Sequence, residues 1–240
     1  MSAFFAINGA SKRFRGLLAV DRVSCEVAKG EIFAVIGPNG AGKTTLFNMI
    51  AGALRPDEGE IVFNSEHIEG LRPDEVCRRG IARTFQIVRP FPMLTVEDNV
   101  MVGALLRTSD VARASEQTHE VMRRLDLFDK RGRVAKSLTL PDRKRLEVAR
   151  ALATAPQLLL LDEVMAGLRP TETDRMVAIL RELNGQGLTI LLIEHVMRAV
   201  NSLASRVLVL HHGAAIAEGT PEAIVREPAV VESYLGVEAV

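Results

Sequence analysis

Cysteine, net charge and long hydrophobic runs are all scarce in this sequence, and each shortage excludes a class of protein. Two cysteines, Cys25 and Cys77, are too few for a disulfide scaffold and lack the spacing of a metal site. The 30 basic and 30 acidic residues cancel, so the net charge predicts no general attraction to nucleic acid or to an anionic membrane. One of the longest apolar runs, residues 188–193, is far too short to cross a bilayer.

A targeting signal is also missing from the start of the sequence. Residues 1–14 contain no basic start, apolar middle or small-residue cleavage site, so we expect the chain to reside in the cytoplasm. With 240 residues, of which 48% are hydrophobic, the chain is long enough to bury a large core.

The most informative stretch is a glycine-rich segment that follows a nearly all-apolar run, residues 31–36. The run is typical of a parallel strand buried on both faces, and residues 44–53 after the segment have helical composition. The spacing is that of a phosphate-binding loop, in which backbone N–H groups converge on phosphate oxygens and a lysine reaches the terminal phosphates. The predicted nucleotide-binding residues are Gly37, Pro38, Asn39, Gly40, Ala41, Gly42, Lys43, Thr44 and Thr45, with the Thr44 hydroxyl as a magnesium ligand.

The rest of the sequence alternates short apolar runs with helical patterns, which predicts an α/β fold with a mostly parallel sheet covered on both faces. Residues 4–7 and 20–27 indicate two strands around a turn, and therefore an antiparallel β edge. A short helix is expected at 73–79 and a strand at 81–85.

The segment from 87 to 154 differs, because Pro90 and Pro92 interrupt it and helical patterns follow at 95–107, 111–126 and 140–155. Thr139 is placed to cap the last of these helices, with Asp142 three residues on. We therefore predict one domain, residues 1–240, with an ATPase core from 1–86 and 155–240 and a helical subdomain at 87–154.

Polar residues come directly after several of the predicted strands, as Gly37, Gln86 and His195 do. The carboxyl ends of parallel strands share one edge of a sheet, so these residues should converge on the phosphate loop. Four leucines precede Asp162 and Glu163; Asp162 is placed to hold magnesium, and Glu163 to polarise a water that attacks the γ-phosphate. The alternative for this acidic pair is to cap the next helix.

With these motifs the chain resembles, essentially end to end, the nucleotide-binding subunit of ATP-binding cassette (ABC) transporters, which bind ATP and Mg²⁺. The resemblance implies that Gln86, in the segment 83–86, contacts the γ-phosphate and magnesium, and that His195 contacts the γ-phosphate. It also implies that Phe14 stacks on adenine with Val20 beside the base; taken alone, Phe14 would be interpreted as a core residue.

Within that family the sequence is most similar to uptake systems for branched-chain and other hydrophobic amino acids, through residues 83–86, 193–196, 217–221 and the tail 228–236. Amide or urea uptake systems would share these features. The implied partners are membrane permease subunits, an external solute-binding protein and a second ABC ATPase chain, at the cytoplasmic face of the inner membrane.

Residues 89–94 are expected to lie where a permease docks. We interpret Arg143, Lys144 and Arg145 as a charged helix face and expect no nucleic-acid partner.

One family motif is altered in this sequence. The family carries Leu, Ser, Gly, Gly, Gln where the chain has Leu138, Thr139, Leu140, Pro141 and Asp142. In the family this signature segment binds the γ-phosphate of ATP held by the facing subunit. Pro141 has no N–H to donate, and Leu140 adds bulk where glycine allows close approach.

Two further departures are Val164, where proline is usual, and Arg169, where the family has Asp or Asn. We therefore expect the chain to serve best in a heterodimer with an ATPase chain of standard signature. The alternatives are a weakly hydrolysing, nucleotide-binding regulatory subunit, and an ABC protein with no membrane partner.

Overall fold

The computed structural model describes residues 4–235 and the side chains of residues 4–233. The tail whose sequence contributes to the resemblance therefore lies partly outside the described part, namely Gly236 and the side chains of Tyr234 and Leu235. The strands are β1 (Phe5–Phe14), β2 (Leu17–Val27), β3 (Ile32–Ile36), β4 (Glu58–Phe63), β5 (Glu66–His67), β6 (Ile81–Arg83), β7 (Leu158–Asp162), β8 (Thr189–Ile193), β9 (Arg206–His211) and β10 (Ala214–Gly219). The helices are α1 (Lys43–Ile50), α2 (Pro73–Arg79), α3 (Val96–Ala104), α4 (Val111–Arg124), α5 (Leu140–Leu152), α6 (Pro170–Gly185), α7 (Met197–Leu203), α8 (Pro221–Ile224) and α9 (Pro228–Leu235).

Two sheets of different kinds form the scaffold. A six-stranded sheet has the order β10-β9-β3-β8-β7-β6, in which only β10 runs antiparallel to its neighbour. A four-stranded antiparallel sheet has the order β2-β1-β4-β5. The predicted α/β class, with a mostly parallel sheet and an antiparallel edge, is confirmed.

Within the six-stranded sheet, β3 is buried on both faces, because it carries apolar residues at every position. In β3, Phe33 and Val35 belong to a core shared with α1 and the antiparallel sheet, whereas Ile32, Ala34 and Ile36 belong to a core shared with α3–α7. The carboxyl end of β3 is therefore held from both sides.

Strand β1 is longer than predicted, since it continues from residue 7 to Phe14. Register shifts lie between Ile7 and Ala10, where Gly9 adopts a left-handed φ of 62°. This irregularity, followed by polar residues, interrupts the alternation by which strands are recognised in a sequence. Helix α2 has the predicted bounds, and Thr139 caps α5 by accepting a hydrogen bond from the Asp142 amide, also as predicted.

Between β6 and β7 the chain forms α3, α4 and α5, and α3 packs closely on α5. A Cβ atom at Gly103 of α3 would lie 2.6 Å from the carbonyl oxygen of Arg150 and 3.0 Å from the Cβ of Ala153. The two helices therefore approach closely because this position carries no side chain. Among the described residues, no helix is both long and apolar enough to cross a membrane.

The replacement Gly103→Ala should destabilise the protein by about 1–3 kcal/mol, because the added methyl group forces α3 and α5 apart. Gly185→Ala is the matched control in α6, where a Cβ would meet nothing within 4 Å. It should instead stabilise the protein by up to about 1 kcal/mol, the difference in helix propensity. Urea unfolding of both variants measures these values, and equal effects of the two substitutions would contradict the close packing.

Candidate functional site

The loop between β3 and α1 requires glycine at two positions. Gly37 and Gly42 have φ values of 149° and 100°, which side-chain-bearing residues rarely adopt. A Cβ at Gly37 would overlap the carbonyl oxygen of Leu210, and one at Gly42 would overlap that of Ala19. The loop is thus wedged between the backbones of β9 and β2, which fixes its shape.

The N-terminus of α1 is free to bind an anion. Its N-cap residue is Gly42, so no side chain caps the first turn, and that turn contains no acidic residue. The unpaired amides and the helix dipole both favour phosphate. Lys43 Nζ donates to the carbonyl oxygens of Gly37 and Pro38 at 2.7 and 2.9 Å. Burial lowers the pKa of Lys43, against the opposing charges of Glu163 and Asp162.

An open cavity of about 490 Å³ lies over this loop. Of the sequence-predicted residues, those that line it are Phe14, Asn39, Gly40, Ala41, Gly42, Lys43, Thr44, Thr45, Gln86 and Glu163. The exposed ring of Phe14 lies at one end of β1 and is available for stacking. A loop for phosphates, an aromatic face and a carboxylate therefore share one space.

Val20 does not line the cavity, contrary to its expected place beside the base. Its side chain is wholly buried in the core of the antiparallel sheet, because side chains alternate between the two faces of β2. Ala19, one residue earlier, lines the cavity instead. His212 also lines it, at the hairpin between β9 and β10. No local signal marks His212, since the pairing of β9 with β3 brings it beside the loop.

Of the three residues expected to be catalytic, Glu163 contacts both of the others. Gln86 Nε2 donates to Glu163 Oε2 at 2.7 Å, and His195 Nδ1 lies 3.4 Å from Glu163 Oε1. Glu163 lies between β7 and α6, Gln86 follows β6, and His195 follows β8. The Glu163 carboxylate is therefore held between a side-chain amide and an imidazole at the carboxyl edge of the sheet.

Asp162, next to Glu163 in the sequence, does not line the cavity and is almost wholly buried. Arg83 donates to Asp162 Oδ2 at 2.8 Å and to Asn48 Oδ1 of α1 at 2.5 Å, while Thr84 Oγ1 accepts from the Asp162 amide at 3.1 Å. Burial raises the pKa of Asp162, and the hydrogen bond and charge of Arg83 oppose that rise. Arg83 belongs to the segment 83–86, which already stood out in the sequence. No local pattern predicted that it pairs with Asp162, 79 positions away.

The donor set fits a magnesium ion. Asp162 Oδ1 is buried without a hydrogen-bond partner, which leaves one carboxylate oxygen for a ligand. Thr44 presents an exposed hydroxyl in the first turn of α1, and hydroxyl, carboxylate and amide oxygens are the ligands that Mg²⁺ prefers. Thr44, Asp162 and Gln86 are thus chemically suited to hold it.

The first turn of α5 contrasts with that of α1. Pro141 has no N–H, and the Asp142 amide donates to the Thr139 hydroxyl at 3.4 Å. The Thr139 hydroxyl in turn donates to Asp142 Oδ2 at 3.0 Å, while the side chain of Leu140 is 39% exposed. This helix terminus is therefore capped by its own side chains and bears an acidic residue, so it is poorly suited to phosphate.

Asp142 is held by two cations. Lys130 Nζ donates to both carboxylate oxygens, at 2.7 and 2.6 Å, and Arg145 to one of them at 2.5 Å. Burial alone would raise the pKa of Asp142, but the hydrogen bonds of Lys130 and Thr139, with the charges of Lys130 and Arg145, hold it below its usual value. The altered segment is therefore an ordered part of the fold.

Comparisons with known proteins extend over almost the whole chain. The ABC transporter family model matches residues 20–166, and a model described as branched-chain amino acid ATP-binding cassette transporter matches residues 216–240. LivG of Salmonella typhimurium, a high-affinity branched-chain amino acid transport ATP-binding protein, is 41% identical, covering 96% of this chain and 97% of LivG. BraF of Pseudomonas aeruginosa, of the same description, is 38% identical, covering 96% of each. The solved ADP conformation of MJ1267, an ATP-binding cassette of an ABC transporter, matches with a TM-score of 0.89 and 31% identity, covering 98% of this chain and 100% of that one.

The replacement Asp142→Asn should lower the free energy of unfolding by about 2 kcal/mol at neutral pH, because it leaves Lys130 and Arg145 without their shared carboxylate. The native pKa of Asp142 is depressed, so its stabilising effect is full above the unfolded-state pKa of about 4 and disappears as the pH falls through the native value. Wild type and variant should therefore converge in acid. Urea unfolding at a series of pH values measures this.

The control is Asp174→Asn, which removes an exposed ion pair with Arg198. It should change stability by less than about 1 kcal/mol at any pH. A deficit of the Asp142 variant that persists unchanged in acid would contradict the role given to its charge.

Proposed function

This chain belongs to the ABC transporter family of ATP-binding proteins, and we propose that it is the ATP-hydrolysing motor subunit of an importer of branched-chain or other hydrophobic amino acids. The observation that carries the proposal is that residues of the phosphate loop, Phe14, Gln86 and Glu163 line the same cavity. The match of residues 216–240 and the similarity to LivG and BraF support the class of solute.

In the proposed reaction, Phe14 stacks on adenine while the loop amides and Lys43 bind the phosphates of ATP. Glu163 accepts a proton from the attacking water, and Gln86 and His195 hold its carboxylate and contact the γ-phosphate. Mg²⁺, held by Thr44, Asp162 and Gln86, would neutralise charge on the phosphate oxygens. We also infer that residues 1–240 form a single ATP-binding domain, with residues 87–154 as its helical subdomain.

The partner that completes the site is proposed to be a second ABC ATPase chain with a standard signature. The reason is the first turn of α5, where Pro141 has no amide hydrogen and the Asp142 amide is already used. Losing one preorganised donor to a transition-state oxygen costs about 3 kcal/mol, or roughly a hundredfold in rate. This chain and its partner would close on two ATP molecules. Closing and reopening of the pair would drive the permease subunits.

Steady-state hydrolysis across a range of protein concentrations tests this proposal. The purified chain should bind ATP but hydrolyse it slowly, whereas the double variant Leu140→Gly, Pro141→Gly should hydrolyse it roughly a hundredfold faster, with a rate that rises more than linearly with concentration. Both substitutions leave the ion pairs of Asp142 in place.

Glu163→Gln in the double variant is the control and should reduce hydrolysis to a small residual rate while ATP still binds. Equal, Glu163-dependent rates for the wild type and the double variant would contradict the need for a second kind of chain. Hydrolysis that is not reduced by Glu163→Gln in either background would contradict the motor itself.

The loop after Gln86 is the proposed docking face for the permease. Its backbone is held by two side chains: Arg150 donates to the Arg89 carbonyl at 2.8 Å, and Asn99 accepts from the Phe91 amide and donates to the Phe91 carbonyl. Its exposed apolar side chains are Ile87, Phe91, Met93 and Leu94. A rigid backbone that presents apolar side chains to solvent is typical of an interface.

The full assembly is proposed to lie at the cytoplasmic face of the inner membrane, where the chain is a peripheral subunit. The system would include permease subunits that bind this loop, and an external solute-binding protein.

The double variant Ile87→Asp, Met93→Asp should release or uncouple the permease, because it places charge in an apolar interface. These side chains are 69% and 68% exposed, so folding and ATP binding should remain near normal. The matched control is Val111→Asp in α4, at a position 67% exposed. Co-purification with the membrane subunits and transport in vesicles are the measurements. Equal retention of the permease by both variants would contradict this docking face.

A further inference from the structure

Glu163 has an unusual backbone conformation. Its φ of 50° is left-handed, which is uncommon for a residue other than glycine and is maintained only where surrounding contacts enforce it. On one side, its amide donates to the carbonyl of Ile193 at 2.9 Å, at the end of β8. Its own carbonyl oxygen accepts from the Ala166 amide at 3.2 Å and from one further partner, a side chain.

That partner is Lys144, in α5. Lys144 Nζ donates to the Glu163 carbonyl at 2.9 Å and lies 3.4 Å from the Gln86 carbonyl, which it also contacts as a donor. The prediction that residues 143–145 form a charged helix face is wrong for Lys144. Lys144 is 5% exposed, whereas the adjacent Arg143 is exposed.

The charges around Lys144 explain how a buried amine is tolerated there. Glu194 is 1% exposed, and one of its carboxylate oxygens accepts from the Met165 amide at 2.9 Å. Burial lowers the pKa of Lys144, and the charges of Glu194, Glu163, Asp162 and Glu147 oppose that shift. The cost of burying the amine is thus partly offset by nearby carboxylates.

We propose that Lys144 is a positioning residue, which holds the backbones of Glu163 and Gln86 so that the Glu163 carboxylate stays between Gln86 and His195. The inference rests on the proposed role of Glu163. Helix α5, which bears the altered signature, would then also support the Glu163 carboxylate. Lys144 contacts backbone atoms only, so its effect on hydrolysis acts through Glu163.

The first test needs no activity. Backbone amide exchange, followed by mass spectrometry on the full chain, should rise for residues 163–166 in Lys144→Met, because the left-handed conformation loses one of its enforcing contacts. The matched control, Arg143→Met, removes an exposed cation one residue earlier and should leave this exchange unchanged. Unchanged exchange in Lys144→Met would overturn the proposal. If Lys144→Met does not fold, Lys144→Gln, which keeps a side-chain donor of shorter reach, takes its place with the same expectation.

The second test uses hydrolysis in the Leu140→Gly, Pro141→Gly background. There, Lys144→Met should lower kcat by at least about tenfold while the Kd for ATP changes less than about twofold, because the carboxylate is misplaced and the phosphate loop is not. Lys144→Arg should restore part of the loss. Adding Lys144→Met to Glu163→Gln should lower the residual rate no further.

A further loss in the Glu163→Gln background would show that Lys144 acts on something other than Glu163, and would overturn the proposal. If Glu163→Gln itself retains full activity, the proposed function fails, and the exchange measurement still decides whether Lys144 holds the Glu163 backbone.

Discussion

The burial of β3 at the centre of the six-stranded sheet is the constraint on which the site depends. Its residues pack alternately into two cores, so the strand cannot shift without disturbing both. Pairing with β9 brings Leu210 against Gly37. On its other side β3 pairs with β8, which in turn pairs with β7, so that the Ile193 carbonyl binds the Glu163 amide. The phosphate loop and the Glu163 carboxylate are therefore positioned by the same hydrogen-bonded ladder.

Two helix N-termini of this chain differ in what they offer to phosphate. The first turn of α1 has free amides, a glycine N-cap and no acidic side chain. The first turn of α5 has Pro141, an amide occupied by Thr139, and the carboxylate of Asp142. The chain thus has one helix terminus suited to phosphate and one that is not. This asymmetry is the physical basis for the proposed heterodimer.

Helix α5 links several parts of the molecule. Asp142 binds Lys130 and Arg145 at its start, and Arg150 donates to the backbone of the loop after Gln86. On the same helix, Lys144 reaches the Glu163 carbonyl. The loop proposed to dock the permease and the carboxylate proposed to be catalytic therefore contact the same helix.

Much of this protein could be read from local spacing. The phosphate loop, the acidic pair 162–163, helix α2 and the Thr139 cap depend on residues close together in sequence, and helical and strand periods are local properties. By the same reasoning the mostly parallel sheet could be predicted, since alternating strands and helices permit few other arrangements.

Only the tertiary structure decided the rest. Local patterns did not place Ala19 rather than Val20 at the cavity, bring His212 beside the loop, pair Arg83 with Asp162 or bury Lys144 against Glu163. Each of these contacts joins residues whose distance depends on which strands pair and in which register. That choice is set by the packing of two cores over the whole chain, so it leaves no signature in any short stretch of sequence.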